Sequence, residues 1–237
     1  MIDFTPELRK KALTLLEPFH FGPLFTPPLH RDNNMGKRAS LWCPGDVGGV
    51  NITGPSAGDP TNGVLFITSL KGCSSRIMAP GAERDAKEDQ PTGKTIANYA
   101  VLDNTSPGLV DGLPIYKPPY SRITAIDMNT GEHLWWIPVG ETPDRIKNHP
   151  ALRGLNIPNT GTGQHAAMMV TPSMLVYAAT TSDNTPHLFA VDKASGKLLA
   201  KVATPGVSRY GMMSYMHQGK QYIILQLPDK NVALALP

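Results

Sequence analysis

A strand–turn–strand phrase occurs twice in this chain and restricts its fold more than any other feature. The first copy, ITAIDMNTGEHLWW, spans residues 123–136, and the second, LFAVDKASGKLL, spans residues 188–199. The copies align with an offset of 192 − 127 = 65 residues, which places Asp127 opposite Asp192. A phrase that returns in this way predicts a repeat architecture.

The composition favours many short strands joined by turns. Of 237 residues, 22 are Gly and 23 are Pro, and only 17% are charged, which argues against a helical bundle. The net charge is only +3 and no basic block is present, so nucleic acid is not an implied partner. No apolar run reaches the length of roughly 18 residues that a bilayer span needs, and the N-terminus lacks the apolar core of a secretory signal.

Strand candidates group into three successive units. The pattern predicts strands at 47–56, 64–69, 121–127 and 132–139, then at 163–170, 174–180, 187–192 and 197–204, then at 211–216, 221–227 and 232–236. Four strands in up-and-down order are typical of a propeller blade. The third unit lacks its fourth strand, so we expect about three blades of a ring that needs about four to eight when closed.

A helix is predicted near the N-terminus. Thr5 is a plausible N-cap and Pro6 suits the first helical position. The predicted apolar face consists of Leu8, Ala12, Leu15 and Leu16. Pro18 ends the helix, and an irregular Pro-rich stretch follows.

These patterns predict two regions. Residues 1–41 form the helix and a Pro-rich lead-in, and residues 42–237 form a partial propeller domain. The stretch 71–120 shows little periodicity and is expected to be an insertion within that domain. The predicted fold class is all-β, with a short N-terminal helix.

Cys43 and Cys73 are the two cysteines of the chain, so at most one disulfide can form. Their spacing does not suggest a zinc site. Two free thiols in the core or in loops are the commoner arrangement, whereas a disulfide would suit an exported protein.

The first copy of the repeat resembles a known motif. The pattern Ala125-x-Asp127-x-x-Thr130-Gly131-x-x-x-Trp135 is similar to the tryptophan-docking motif of the pyrroloquinoline quinone (PQQ) dependent quinoprotein dehydrogenases, which are eight-bladed propellers. Other stretches agree in order: FTPELRKKAL, GPLFTPP, GDVGGVNITGPSAGDPTNGVLF, LPIYKPPYSRITAIDMNTGEHLWWIPVG, MMSYMHQGKQYIIL and ALALP. The chain resembles the C-terminal part of the membrane-type glucose dehydrogenase branch and its alcohol dehydrogenase relatives.

The docking motif has a physical rationale. Gly131 suits a turn position with positive φ, and Asp127 can accept hydrogen bonds from turn amides. Trp135 offers a broad apolar face to the neighbouring blade and an N–H for a carbonyl. In the second copy Ala200 stands in its place, so we expect a weaker contact there.

The resemblance implies a cofactor-lining role for the segment that contains Gly49 and Asn51. Family members carry a Gly-Gly-x-Asn-Trp element on an inner strand, and Gly48-Gly49-Val50-Asn51 fits it except that Ile52 replaces the tryptophan. An asparagine side chain offers two donors and an acceptor for quinone carbonyls and carboxylates. The alternative is that Asn51 caps a turn in a Gly-rich loop.

Thr160 and Gly161 belong to a second candidate segment, 157–163, where family members carry a Pro-x-x-Gly-Gly element near the cofactor. A Gly-rich loop can present backbone amides to an anionic ligand, but it can equally be a simple turn. His165 follows this loop and is a candidate general base, although the sequence places no partner beside it.

The resemblance implies PQQ and calcium as cofactors, with the catalytic aspartate and the calcium ligands in blades outside this chain. It implies oxidation of a glucose-like sugar or an alcohol in the periplasm, with electrons passed to a quinone or cytochrome. The remaining N-terminal blades, as a separate chain, are an expected partner. The alternative is a propeller-repeat scaffold or binding protein without catalytic activity, which Ile52 and Ala200 favour.

Overall fold

The computed structural model describes residues 1–23, 25–45, 49–50, 55–83, 97–103 and 108–235. Its helices are α1 (Pro6–Leu16), α2 (Asp144–Lys147) and a 3₁₀ turn (Pro150–Leu152). The strands are β1 (Phe19–His20), β2 (Leu29–His30), β3 (Ala39–Trp42), β4 (Ser56–Asp59), β5 (Val64–Leu70), β6 (Ser74–Pro80), β7 (Tyr99–Asp103), β8 (Leu109–Val110), β9 (Leu113–Pro114), β10 (Ser121–Asp127), β11 (His133–Pro138), β12 (Met168–Val170), β13 (Met174–Thr180), β14 (Pro186–Asp192), β15 (Leu198–Ala203), β16 (Met212–His217), β17 (Lys220–Gln226) and β18 (Asn231–Ala235). Within the described ranges, no helix is long and apolar enough to cross a membrane.

The chain divides into two compact units, one made of residues 1–48 with 72–117 and the other of residues 49–71 with 118–237. The domain boundary predicted at residue 42 stays a prediction. The stretch 71–120, predicted to lack periodicity, contains β6 to β9. Two of these strands have only two residues, too few for an alternating pattern to show in the sequence.

The first unit contains α1 and a mixed sheet in the order β1-β3-β6-β2, with β7 also paired to β6. Thr5 caps α1 by accepting a 3.2 Å hydrogen bond from the Leu8 amide. Leu8, Ala12 and Leu16 are buried, as predicted. The prediction for Leu15 is wrong. The buried face of α1 is narrow, and the Leu15 side chain lies beside that face and is 40% exposed.

Cys43 and Cys73 form a disulfide in the first unit, with their Cα atoms 4.4 Å apart. The expectation of two free thiols is therefore wrong. The pairing of β3 with β6 explains the bond, because Trp42 lies opposite Ser74 and the next residues on each strand are the two cysteines. Because the two strands are antiparallel, Cys43 directly follows β3 and Cys73 directly precedes β6, so the sheet register places them opposite each other. This placement is not visible in the spacing of the cysteines.

The second unit contains three antiparallel sheets, in the orders β4-β5-β10-β11, β12-β13-β14-β15 and β16-β17-β18. These sheets confirm the predicted all-β fold with blade-like units, the third of which has three strands. Nine of the eleven predicted strands overlap observed strands along most of their length, and 163–170 overlaps β12 only at Met168–Val170. The prediction for 47–56 is displaced, because the ladder with β5 runs over Ser56–Asp59 and Gly49 forms only an isolated bridge to Leu70.

The strand β13 of the middle sheet is buried on both faces. Residues Leu175, Tyr177 and Ala179 of β13 contact the first sheet through Phe66 and other core residues. The alternate residues Val176 and Ala178 contact Ile223, Leu225 and Leu227 of the third sheet. Because side chains of a strand alternate between faces, this burial requires a continuous apolar run, and the MLVYAAT sequence supplies it.

The repeated phrase forms the same turn in the first two sheets. Gly131 and Gly196 have φ angles of +78° and +72°, which glycine adopts without steric cost. Their amides donate to the carbonyls of Asp127 and Asp192 at 2.7 and 2.8 Å. Both hairpins also shift register at the equivalent place, after Ala125 and after Ala190.

Trp135 links the first sheet to the turn of the second. Its Nε1 donates a 3.1 Å hydrogen bond to the Lys193 carbonyl. Its ring lies so close to Gly196 that a Cβ atom there would be 2.9 Å from Cε3. The Phe66 ring, 5.6 Å away between centroids, packs against the tryptophan as well. The residue at position 200, alanine, is exposed.

Two ion pairs join the same sheets at their opposite ends. The Lys193 ammonium lies 2.5 Å from the buried Asp59 carboxylate, and its hydrogen bond lowers the pKa of Asp59. At the other end, Glu141 accepts from Lys201 at 2.6 Å and from the Ser182 amide at 3.0 Å. The hydrogen bond from Lys201 likewise lowers the pKa of Glu141.

We expect Trp135→Ala to lower the free energy of unfolding by about 3 kcal/mol, because it removes apolar contacts and leaves the Lys193 carbonyl without its donor. Trp136→Ala is the matched control, because Trp136 is 51% exposed and its loss should cost about 1 kcal/mol or less. Urea denaturation followed by circular dichroism measures both. If both variants lose the same free energy of unfolding, the Trp135 contact does not contribute the stability expected of it.

Asp59→Asn should remove a stabilising contribution that depends on pH. The pKa of Asp59 is lowered in the folded state, so its contribution is complete above the unfolded pKa of about 4 and is lost as pH falls through the folded value. The stability difference between wild type and variant should therefore be constant above about pH 5 and shrink in more acidic solution. Asp229→Asn is the control, because Asp229 is exposed and lies 3.8 Å from Lys230.

Candidate functional site

Two of the predicted site segments meet at one end of the first sheet. Gly49 exchanges two backbone hydrogen bonds with Leu70, at 2.7 and 2.9 Å. Leu70 pairs with Ser121 across the β5–β10 ladder. The Ser121 Oγ atom accepts a 3.1 Å hydrogen bond from the Gly163 amide. We call this region, defined by Gly49, Leu70, Ser121 and loop 159–163, the Ser121 end of the sheets.

Asn51, the side chain predicted to face the quinone, lies outside the described residues, as do Gly48 and Ile52. The described neighbours Gly49 and Pro55 bracket its segment. Gly49 bridges Leu70, and the Pro55 carbonyl accepts from the Thr68 hydroxyl at 3.3 Å. The role of Asn51 stays a prediction.

Loop 159–163 is held by its own side chains and by the segment that follows β11. Asn159 donates to the Gly140 carbonyl at 2.8 Å, and its Oδ1 atom accepts from the Gly161 amide at 3.0 Å. Thr160 is fully buried, and its amide donates to the Thr142 hydroxyl at 2.9 Å. The Thr162 amide donates to Val139 at 2.9 Å.

Gly161 is in a position that excludes any larger residue. Its φ is +67°, and a Cβ atom would lie 2.7 Å from the Ser121 carbonyl oxygen. At Gly163 the φ is also positive, +77°, but the nearest atom to a Cβ would be 3.6 Å away. The glycine at 161 therefore allows the loop to approach the backbone of β10 closely, whereas the glycine at 163 serves only the turn.

The backbone amides of residues 160 to 164 all donate within the chain: to Thr142, Asn159, Val139, Ser121 and Thr162. These five amides are therefore not free to bind an anion. The roles predicted for Thr160 and Gly161 in lining the cofactor stay predictions, and contact through side-chain or carbonyl atoms remains compatible with these hydrogen bonds.

His165 has a partner that the sequence did not reveal. Its Nδ1 atom lies 3.3 Å from Oγ1 of Thr68, a fully buried residue of β5. The Thr68 hydroxyl donates its one proton to the Pro55 carbonyl, so its oxygen accepts from His165 Nδ1–H. Burial lowers the pKa of His165, which favours the neutral imidazole.

Three observations bear on the quinone site predicted for this end. Around Gly49, no described atom lies within 4 Å of where a Cβ would stand. The neutral imidazole of His165 can accept a hydrogen bond from an O–H or N–H group of a ligand. The carboxylates of PQQ would need cationic partners from elsewhere in the protein. Among the described residues no cluster of three or more His, Cys, Asp or Glu side chains is arranged to bind a metal ion. The location of the calcium ligands therefore stays a prediction.

Sequence reasoning identified the two loops but missed Ser121 and Thr68, which connect them to the first sheet. Ser121 stands at the beginning of β10 and Thr68 stands among the apolar residues of VLFITSL. A buried hydroxyl in an otherwise apolar strand face is a signal that a polar partner lies opposite, because such a group needs a hydrogen bond.

Gly161→Ala should destabilise the loop more than Gly163→Ala. Both substitutions place a side chain at positive φ, with a cost of about 1 kcal/mol, but only the first also drives Cβ into the Ser121 carbonyl. We expect a total loss of about 2 kcal/mol or more for Gly161→Ala. Urea denaturation measures the stability, and limited proteolysis reports cleavage near residue 160. If both variants lose a similar free energy of unfolding, the close approach of Gly161 to β10 does not contribute to the cost of the substitution.

The model of the family described as "PQQ: Glucose/ethanol/alcohol dehydrogenase, beta-propeller domain" matches residues 1–223. A probable quinate dehydrogenase (quinone) of Xanthomonas campestris pv. juglandis is 32% identical over 227 residues, covering 85% of this chain and 28% of that protein. The quinate/shikimate dehydrogenase (quinone) of Acinetobacter baylyi is 31% identical over 204 residues, covering 80% and 24% respectively.

Among solved structures, a quinohemoprotein alcohol dehydrogenase from Comamonas testosteroni matches with a TM-score of 0.49 and 16% identity, covering 85% of this chain and 27% of that one. The chain spans about a quarter of the length of the two quinate dehydrogenases that it matches. The family model covers nearly the whole chain, and the three antiparallel sheets agree with its description as a propeller domain. The chain belongs to the β-propeller family of PQQ-dependent glucose, ethanol and alcohol dehydrogenases.

Proposed function

We propose that this chain forms part of a PQQ-dependent dehydrogenase that oxidises a hydroxyl group of a sugar, an alcohol or a related polyhydroxy compound. The observation that carries the proposal is the match of the family model over residues 1–223. The placement of Gly49 and loop 159–163 at the same end of the first sheet supports it, because both segments have cofactor-lining counterparts in the family. Gly49 pairs with Leu70, Leu70 pairs with Ser121, and Ser121 accepts from Gly163.

The proposed reaction converts a CH–OH group to a carbonyl, and two electrons and two protons leave the substrate. PQQ, when bound, would take up those electrons and protons as a quinone reduced to a quinol. In this chain, the Asn51 amide would donate to the quinone's oxygen atoms and Gly49 would allow its close approach. Loop 159–163 would form a rigid wall, since its internal hydrogen bonds fix its shape. The catalytic aspartate and the calcium ligands would be supplied by other blades.

We assign the Trp135 contact to the tryptophan-docking motif of the family. The hydrogen bond to Lys193 and the packing on Gly196 support the assignment, because they join successive sheets as a docking residue must. By the same reasoning the three sheets would be consecutive blades of an eight-bladed ring, completed by the N-terminal blades of the same or another chain.

The setting of the reaction follows from chemistry and from the relatives. We propose the periplasm, because the Cys43–Cys73 disulfide suits an oxidising compartment. We propose a quinone as electron acceptor, because the names of two relatives specify quinone. A cytochrome is the alternative acceptor.

A non-enzymatic scaffold is the second candidate function. The observation that favours it is the internal use of the backbone amides of residues 160–164, which leaves those amides no role toward an anionic ligand. The exposed Ala200 in place of a second docking tryptophan is compatible with this function too. PQQ binding distinguishes the two, because a scaffold that has lost the chemistry has no need of the quinone.

The test is a titration of the full-length protein with PQQ and calcium, followed by dye reduction with quinate, glucose, glycerol and ethanol. We expect quinone binding and reduction with at least one of these substrates. Asn51→Ala should weaken PQQ binding by about tenfold, as the loss of hydrogen bonds to a charged group does.

Asn231→Ala is the matched control, because Asn231 is an exposed residue of β18. Absence of PQQ binding by the wild-type protein would support the scaffold and overturn the dehydrogenase proposal. Equal quinone affinity in wild type and Asn51→Ala would remove Asn51 from the site without affecting the family assignment.

A further inference from the structure

His165 lies where the first and second sheets adjoin. It follows loop 159–163 by two residues and precedes β12, the first strand of the second sheet. Its partner Thr68 belongs to the first sheet, opposite Ile123 and two positions from the Leu70–Ser121 pair. The first strands of the three sheets, β4, β12 and β16, are neighbours of one another through β12. His165 is therefore at the Ser121 end, beside the edge formed by these first strands.

The hydrogen bonds fix the imidazole in one orientation and one tautomer. Thr68 is fully buried, and both of its contacts are satisfied together when its hydroxyl donates to Pro55 and the histidine carries its proton on Nδ1; we assign that tautomer. The Nε2 atom then carries a lone pair. Within the described part of the chain, Nε2 has no hydrogen-bond partner, and the side chain is partly exposed. This is the arrangement of a base held by a second group, with its accepting atom turned to whatever binds beside it.

The environment keeps this histidine neutral. Desolvation lowers its pKa, and no charged group contributes to that shift. A neutral imidazole of fixed tautomer accepts a hydrogen bond but does not attract anions. The chemistry at Nε2 therefore suits an O–H or N–H donor of a neutral or weakly polar part of a ligand.

We propose that His165 is a ligand-binding residue whose Nε2 atom accepts a hydrogen bond from a small molecule held at the Ser121 end, and that Thr68 is its positioning residue. This inference rests on the proposed function, which supplies two candidate molecules. The donor is either a hydroxyl group of the substrate or an N–H group of the quinone, and the two share the chemistry that Nε2 recognises.

Three variants of the full-length protein distinguish the role of Nε2 from that of the hydroxyl that positions the ring: His165→Asn, His165→Gln and Thr68→Val. Asparagine can keep a donor near the Nδ1 position but lacks the Nε2 atom. Glutamine reaches the Nε2 position with its amide oxygen and should restore part of the binding. Valine keeps the volume of Thr68 and removes only the hydroxyl that holds the ring.

PQQ affinity is measured by fluorescence titration, and KM and kcat are measured by dye reduction. We expect His165→Asn to weaken one affinity by about 3- to 10-fold, as the loss of one neutral hydrogen bond does. A change in PQQ affinity identifies the quinone as the donor. A change in KM at unchanged PQQ affinity identifies the substrate. Thr68→Val should change the same parameter by a smaller factor.

His133→Asn is the matched control, because His133 is exposed at the beginning of β11, at the other end of the sheet from Ser121. It should leave both affinities unchanged. Melting temperatures show that each variant is folded. If His165→Asn is folded and alters neither affinity, the inference is overturned while the proposed function stands. If the wild-type protein binds no PQQ, the proposed function is overturned and this inference with it.

Discussion

The burial of β13, a central strand of the middle sheet, on both faces is the constraint on which the second unit depends. The residues of β13 alternate between contacts with Phe66 and its neighbours on one side and with Ile223 and Leu225 on the other. A strand with two apolar faces is stable only between two other layers, because one of its apolar faces would otherwise be exposed to water. The first and third sheets supply those layers, and their own edges and loops take positions set by this stacking.

Specific contacts then fix the alignment of the stacked sheets. Apolar packing is not directional, whereas the Trp135 hydrogen bond to Lys193 and the ion pair of Lys193 with Asp59 each admit one placement of the second turn against the first sheet. Glu141 performs the same task at the Ser121 end through Lys201. These contacts join the first sheet to the second at both ends. One of these ends is the Ser121 end, from which the loops of the candidate site extend.

The loops of the candidate site could be inferred from sequence because their signals are local. Glycines in 157–163 and at position 49 indicated turns, and their relation to a quinone is a prediction from the resemblance. His165 shows the limit of such reasoning. It stood without a partner because Thr68 is 97 residues away in sequence, and the pair forms only when the sheets stack. The Cys43–Cys73 bond escaped prediction for the same reason, since it depends on the register of β3 with β6.

The sequence by itself determined most strands of the second unit, the turns between them and their repetition. Alternating apolar residues, positive-φ glycines at 131 and 196, and the offset of 65 residues are properties of short segments, and each acts through local sterics or through the period of a strand. Tertiary structure decided which segments meet. The contact of Trp135 with Gly196, the pair of Asp59 with Lys193 and the orientation of His165 by Thr68 all join residues more than 55 positions apart. Such contacts depend on the stacking of whole sheets, whose energy is a sum over many side chains and has no signature in any single stretch.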